Sequence, residues 1–429
     1  MKRLQIPLGI AALMAVVAVL TLSVDKPVSQ PEIAEIVMVP QPSPQEVAEH
    51  RLKKEVIASI VKDYFQKAIN RGQIIGAGVS IVQGDSILLA DGFGKRHVNN
   101  QDVIDGHTAF RLGSLSKGFA GVLSAAVEKK GLINWNDDIN KYLPEFELGG
   151  NHLAKVTIAH ILSHSSGTPY HSYTDLVESG MDLEKIAPRF VNVQPISEPG
   201  AMYSYQNALF AFSGTIIEKV TKHNFGSEMK SNLFEPLEME EATTNHKDFV
   251  ASDNIAFPHR QTKNSWRSIK LTDKYDNAIA AGGVNASASD MAKWMRFLLG
   301  HNPDVLDNST LANVFKPQVE IKGKRKYYQR WEGHQSSYYG FGWRIHSVKN
   351  LQTEKESTII HHGGSVNDYR NEIAIFPEDD LGICVLFNSN TKLAKTVIPE
   401  LHNLIKEKLN ELDKNRTSPA LATNDGDLE

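Results

Sequence analysis

The chain has 429 residues, 41% hydrophobic and 22% charged, an ordinary balance with room for one large catalytic domain or two smaller ones. Its 46 basic and 50 acidic residues leave a formal charge of -4, which gives no basis for electrostatic capture of nucleic acid. Sixteen histidines are scattered without an H-E-x-x-H run, and the single cysteine, Cys384, excludes both an intrachain disulfide and a cysteine zinc set.

Taken in chain order, Lys2 and Arg3 precede an apolar stretch over residues 4–24. This pattern predicts a secretory signal or a single membrane anchor with its basic end in the cytoplasm, and cleavage and retention are both open. The protein is therefore expected to be exported, periplasmic or otherwise extracytoplasmic. Residues 25–47, with Pro27, Pro31, Pro40, Pro42 and Pro44, read as an extended linker. Leu52, Val56, Ile60, Val61, Phe65 and Ile69 recur at helical spacing, and Gly72 suits a C-terminal cap. The runs 78–83 and 86–92 flank Gly84-Asp85, a hairpin signal. A helix is predicted from near Ser114 to just before Gly131. The middle of the chain, about 135–320, reads as helices and loops. Strands return at 369–376 and 381–387, and Cys384 sits in the second as a buried structural thiol. An amphipathic helix over about 394–412 and a polar tail, 413–429, complete the chain.

This order predicts an α+β fold. One antiparallel sheet is built from both ends of residues 48–412, terminal helices cover it, and the helical insertion forms a second lobe. A cleft between lobes is a usual place for a site.

Three motifs carry chemistry. A Ser-x-x-Lys pair on a helix puts the amine one turn from the hydroxyl, where a deprotonated lysine can act as base. A serine at the helix N-terminus also presents its N–H to an oxyanion. The spacing alone is weak: about two matches are expected by chance in this length. There are matches at Ser23, Ser59, Ser114, Ser227 and Ser389. Only Ser114, with Lys117, stands where an extended run meets a glycine and a helix begins, in T-A-F-R-L-G-S-L-S-K-G-F. A Tyr-x-Asn pair supplies a proton shuttle and a holder for a substrate amide. Tyr205, Tyr275 and Tyr369 each begin one, and Tyr205 with Asn207 follows a turn that leads into a helix. The third element is I-I-H-H-G-G-S-V-N-D-Y-R, where glycines let a substrate backbone lie against a strand and a histidine can meet a polar group.

Together and in this order these segments resemble the serine β-lactamase-like family, which includes class C β-lactamases, D,D-carboxypeptidases, D-aminopeptidases and esterases. I-A-H-I-L-S-H-S-S-G-T-P, P-G-A-M-Y-S-Y-Q-N, A-G-G-V and Y-G-F-G-W extend the likeness over about residues 52–410. The resemblance implies a β-lactamase/transpeptidase-like fold without cofactor or metal. It implies Ser114 as nucleophile, Lys117 as base, Tyr205 as proton carrier and Asn207 as substrate-amide ligand. His362 and Gly364 would belong to the substrate-binding strand, and the N–H groups of Ser114 and Ser365 would bind the oxyanion. His361 is a competing register. His362 is preferred because Tyr369 then falls on the family's aromatic position. The lactamase pattern has Lys-Thr-Gly where this chain has His362-Gly363-Gly364, which favours a D-amino-acid peptidase, amidase or esterase acting on a small molecule or peptidoglycan-type peptide. Asp368 replaces a usual glycine, and Gln206 a usual serine. The alternative is a slow or non-catalytic envelope protein that binds penicillin or peptidoglycan peptides; a zinc hydrolase is a third reading. The loop I-K-G-K-R-K-Y-Y-Q-R-W-E-G-H, 321–334, reads as a solvated charged loop that may be tested as a cleft border.

Overall fold

The computed structural model describes residues 43–150, 155–263 and 265–417. The expected signal or anchor, most of the linker and most of the tail lie outside the described residues. Among the described residues no helix is long and apolar enough to cross a membrane.

The first helix, α1 (Pro44–Asn70), is followed by the hairpin β1 (Gly76–Gln83) and β2 (Ser86–Gly94). The rest of the sheet comes from the last third of the chain. It comprises β3 (Val319–Glu320), β4 (His334–Tyr339), β5 (Arg344–Lys349), β6 (Glu356–Val366), β7 (Tyr369–Phe376) and β8 (Leu381–Phe387). The eight strands run in the order β2-β1-β8-β7-β6-β5-β4-β3, each pair antiparallel. The sheet therefore closes the two ends of the chain on each other through β1 and β8, as the strand pattern predicts.

Alternation along the strands sorts side chains to two faces. On one face Ile81, Ile383, Val385 and Phe387 pack with Ile57, Val61 and Phe65 of α1 and with Leu401 and Ile405 of α5 (Val397–Thr417). On the other face Val82, Ile373, Cys384 and Leu386 join the core of the helical lobe. That core is centred on α2 (Ser116–Lys129), α3 (Asn207–Thr221) and α4 (Ala288–Leu298). Cys384 is buried, and burial pushes its thiol up, as befits an inert packing residue.

Strands β3 to β5 are absent from the sequence reading. His334–Tyr339 and Arg344–Lys349 carry few apolar residues and no clean alternation. β5 pairs with β6 and β4 in turn with β5, so pairing makes them strands, an effect of tertiary context on a weak local preference. The 321–334 loop also departs from expectation. Lys324, Arg325 and Lys326 are exposed, but Gln329 and Trp331 are buried, so the segment is a packed cover over the strands.

The lobe meets the sheet through glycines. A Cβ at Gly118 would lie 2.4 Å from the Trp343 ring, and one at Gly121 would lie 2.1 Å from the Phe341 carbonyl oxygen. Both glycines stand on the face of α2 that receives the Phe341–Trp343 segment. Gly121→Ala has no flexible neighbour to displace and is expected to cost about 1–3 kcal/mol, the usual penalty of overpacking. Denaturant unfolding with an unchanged midpoint would contradict this contact.

Candidate active site

Ser114 sits in a single turn, Gly113–Leu115, that opens directly into α2. Gly113 takes φ +58, and a Cβ there would lie 2.8 Å from the backbone of Ser365, so both conformation and space require glycine. Lys117, one turn on, is fully buried. Its Nζ lies 3.4 Å from Ser114 Oγ, 2.8 Å from Asn207 Oδ1 and 2.6 Å from the Ala281 carbonyl. No carboxylate is among these partners. Burial first, and the Arg344 guanidinium second, hold the amine well below the usual lysine range. A neutral amine has two N–H groups and one lone pair. The two oxygen acceptors take the N–H groups and leave the lone pair for the Ser114 proton.

Tyr205 completes the centre. Its hydroxyl donates to Ser114 Oγ at 2.8 Å, and burial raises its pKa, so the phenol is neutral. Asn207, at the start of α3, donates from Nδ2 to the Tyr275 hydroxyl at 3.1 Å. Gln206, between them, points elsewhere: its amide nitrogen reaches the Pro169 carbonyl at 2.6 Å. The departure from serine at this position leaves the centre untouched.

Strand β6 flanks the nucleophile. A Cβ at Gly364 would lie 2.1 Å from the Leu112 carbonyl oxygen, so only glycine permits this approach. Asn371 of β7 donates to the carbonyls of Arg111 and Leu112 at 2.9 and 3.1 Å and ties the turn to the sheet. Pairing with β5 ends at His361–Arg344, whereas β6 runs on to Val366. Among the described residues, 362–366 thus present an edge with no strand partner on that side, where an extended ligand can add.

The two histidines part here. His362 accepts from the Tyr339 hydroxyl through Nε2 at 2.9 Å and donates from Nδ1 to the Gly363 carbonyl at 2.8 Å. Burial, then Arg344 and Lys117, keep it neutral. His361 reaches the opposite face and meets Glu372 at 2.9 Å. His362 is therefore the one beside Tyr205, but both its ring nitrogens are occupied, and it brings no positive charge to a ligand. Asn367 and Asp368, at φ +48 and +63, form the two-residue turn between β6 and β7, and Asp368 is ion-paired with Arg260.

The sequence reading missed three groups. His164, inside L-S-H-S-S-G, packs its ring 4.1 Å from that of Tyr205 and accepts the Gln206 N–H on Nδ1 at 3.1 Å. Tyr275 was visible only as a surplus Tyr-x-Asn match. Arg344 follows Y-G-F-G-W directly. It is buried with its guanidinium 4.1 Å above the Tyr328 ring, and its Nε and Nη1 have no hydrogen-bond partner. The face of the Tyr328 ring favours its cation. Among the described residues no group of His, Cys, Asp and Glu side chains is placed to hold a metal.

The fold and this centre define a serine hydrolase scaffold of the β-lactamase/transpeptidase type. Residues 61–402 match the Beta-lactamase family model, and the chain belongs to that family. It is similar to Protein flp of Staphylococcus aureus strain MW2, 22% identical over 79% of this chain and 64% of that protein. It is also similar to the Unguisins hydrolase ungD' of Aspergillus campestris, 25% identical over 82% of this chain and 65% of the relative. The chain thus spans slightly less than two thirds of the length of these curated relatives. A solved octameric penicillin-binding protein homologue from Pyrococcus abyssi superposes with a TM-score of 0.69, at 22% identity, over 81% of this chain and 77% of that one.

The depressed Lys117 pKa has a signed consequence. Reaction of Ser114 with a fluorophosphonate needs the neutral amine, so its rate rises with pH through the folded pKa and levels off well below the ordinary lysine value of about 10.4. The labelling rate from pH 5 to 10 checks this; a rise that begins only near pH 10 would place an ordinary, charged lysine beside Ser114.

Proposed function

We propose that the protein is a hydrolase working through an acyl-enzyme on Ser114, with D-amino-acid peptides or amides as its preferred substrates and small esters as secondary ones. The observation that carries this is the bracketing of Ser114 Oγ by a buried carboxylate-free amine and a neutral phenol. In acylation Ser114 Oγ bonds the acyl carbon and its proton passes to Lys117. The N–H groups of Ser114 and Ser365 hold the tetrahedral oxyanion. Tyr205 gives its proton to the leaving nitrogen or oxygen as the scissile bond breaks, and Lys117 restores the phenol proton. A water molecule then attacks the ester by the same route in reverse. His164 supports this by backing the Tyr205 ring.

Arg344 supports a substrate that carries a carboxylate. A buried guanidinium with two unpaired donor nitrogens is costly unless an anion meets it. Its field acts on Lys117, His362 and Tyr205, so it belongs to the same neighbourhood. The apolar N-terminal stretch supports an extracytoplasmic setting for such peptides. A slow or non-catalytic binding protein has no chemical need for Ser114, Lys117, Tyr205 and Asn207 in one network.

The test uses the full chain with a fluorescent phosphonate and a fluorescent penicillin, followed by peptide mapping, with Ser114→Ala as control. Label on Ser114 from the phosphonate alone is expected for a peptidase or esterase. A stable penicillin adduct on Ser114 marks a D,D-peptidase-like pocket, and no label from either probe sinks the catalytic reading. Arg344→Met is expected to raise KM for a D-amino-acid dipeptide with a free carboxylate by about 10- to 100-fold and to spare its C-terminal amide. Equal losses on both would remove the carboxylate assignment.

A further inference from the structure

The geometry points to Tyr275, oriented by Glu178, as a positioning residue that fixes the amide of Asn207 and through it the direction of the Lys117 lone pair. This inference rests on the reading of Lys117 as the base.

A chain of hydrogen bonds runs outward from the nucleophile. Lys117 donates to Asn207 Oδ1 at 2.8 Å, Asn207 Nδ2 donates to the Tyr275 hydroxyl at 3.1 Å, and that hydroxyl donates to Glu178 Oε1 at 3.2 Å. Glu178 is half-buried, and Lys274 meets its other oxygen at 2.8 Å. An ionised carboxylate only accepts, and a phenol has one proton. The Tyr275 proton is therefore committed to Glu178, and its oxygen must accept from the Asn207 side. The NH2 end of the amide satisfies this, and its oxygen end does not. A flipped Asn207 would set oxygen against oxygen at Tyr275 and NH2 against the N–H of Lys117. Glu178 thus imposes a polarity on the network from outside the catalytic groups.

The fold holds Tyr275 there at a cost. Tyr275 has φ +69, a left-handed conformation that a bulky side chain rarely takes. A Cβ at Gly282 would lie 2.8 Å from the Tyr275 ring, so the absent side chain at 282 makes its seat. Arg111, fully buried and three residues before Ser114, donates to the carbonyls of Thr272 and Lys274 and tethers the Tyr275 loop to the nucleophile segment. Strain, vacated space and a buried guanidinium all serve one hydroxyl.

The experiment measures fluorophosphonate labelling of Ser114 in the full chain, separated into a maximal rate and a half-saturating concentration. Tyr275→Phe is expected to lower the maximal rate about 10- to 100-fold and to change the half-saturating concentration less than about 2-fold. Glu178→Gln, which can donate to Tyr275 and so releases the polarity, is expected to lower it at least about 5-fold. The double variant is expected to be no slower than Tyr275→Phe, because both act through one amide. Losses that multiply in the double variant, or single variants equal to wild type, would overturn the inference. Lys117→Ala is run beside them. If it labels at the wild-type rate, the base reading fails and takes this one with it. If it is inert while Tyr275→Phe and Glu178→Gln are unimpaired, only the positioning role fails. Should Tyr275→Phe melt early, Glu178→Gln, at a half-exposed carboxylate, carries the test alone.

Discussion

A primary amine with no carboxylate partner, enclosed by protein, is the constraint on which the rest of the structure depends. Lysine normally keeps its charge in water and avoids full burial unless it is paired. Here Lys117 is surrounded by the Asn207 amide, the Ala281 carbonyl and the Ser114 hydroxyl, all neutral. Burial disfavours its ammonium form, and the positive Arg344 adds to that effect. Both effects favour the neutral amine. Neutrality is enforced again on the other side of the centre, where burial keeps Tyr205 protonated and His164 and His362 uncharged.

Holding such a centre requires surfaces that approach closer than side chains allow. The nucleophile turn touches β6 at Gly113 and Gly364, and α2 touches the Phe341–Trp343 segment at Gly118 and Gly121. The sheet supplies the rigid edge and the helical lobe supplies Tyr205, Asn207 and Ala281. Neither part contains the site alone. Asn371 ties the sheet to the carbonyls of Arg111 and Leu112 just before Ser114, and Arg111 ties that segment to the carbonyls of Thr272 and Lys274, so the position of the hydroxyl is set by the framework of both parts.

The cover formed by residues 321–334 links the two faces of the sheet. Tyr328 lies under the Arg344 guanidinium, and Tyr327 donates to Glu372, whose carboxyl is pushed up to about 7 by burial. His361 and Arg370 share that carboxylate. The back of β6 is therefore polar around Glu372, and among the described residues His361 Nδ1 there and Arg344 Nε and Nη1 find no hydrogen-bond partner.

Local sequence determined the elements with strong periodicity and the chemistry of the three motifs. α1, the β1–β2 hairpin, α2, β7, β8 and the closing helix were legible because each has its own apolar period or turn residues. Ser114, Lys117, Tyr205 and Asn207 were legible because Ser-x-x-Lys stands where an extended run meets a glycine and a helix begins, Tyr-x-Asn follows a turn into another helix, and both fall in the order of the resembled family. Tertiary structure alone decided the rest. Strands β4 and β5 exist because β6 pairs with β5 and β5 with β4. His362 was preferred to His361 in the sequence from the place of Tyr369, and the sheet's packing puts it beside Tyr205 because a strand sends successive side chains to opposite faces. His164, Tyr275 and Arg344 lie in or beside motif segments, but nothing local marks what they do, and Glu178 has no motif at all. Their roles arise from hydrogen bonds and charges across long stretches of chain, which no window of sequence contains.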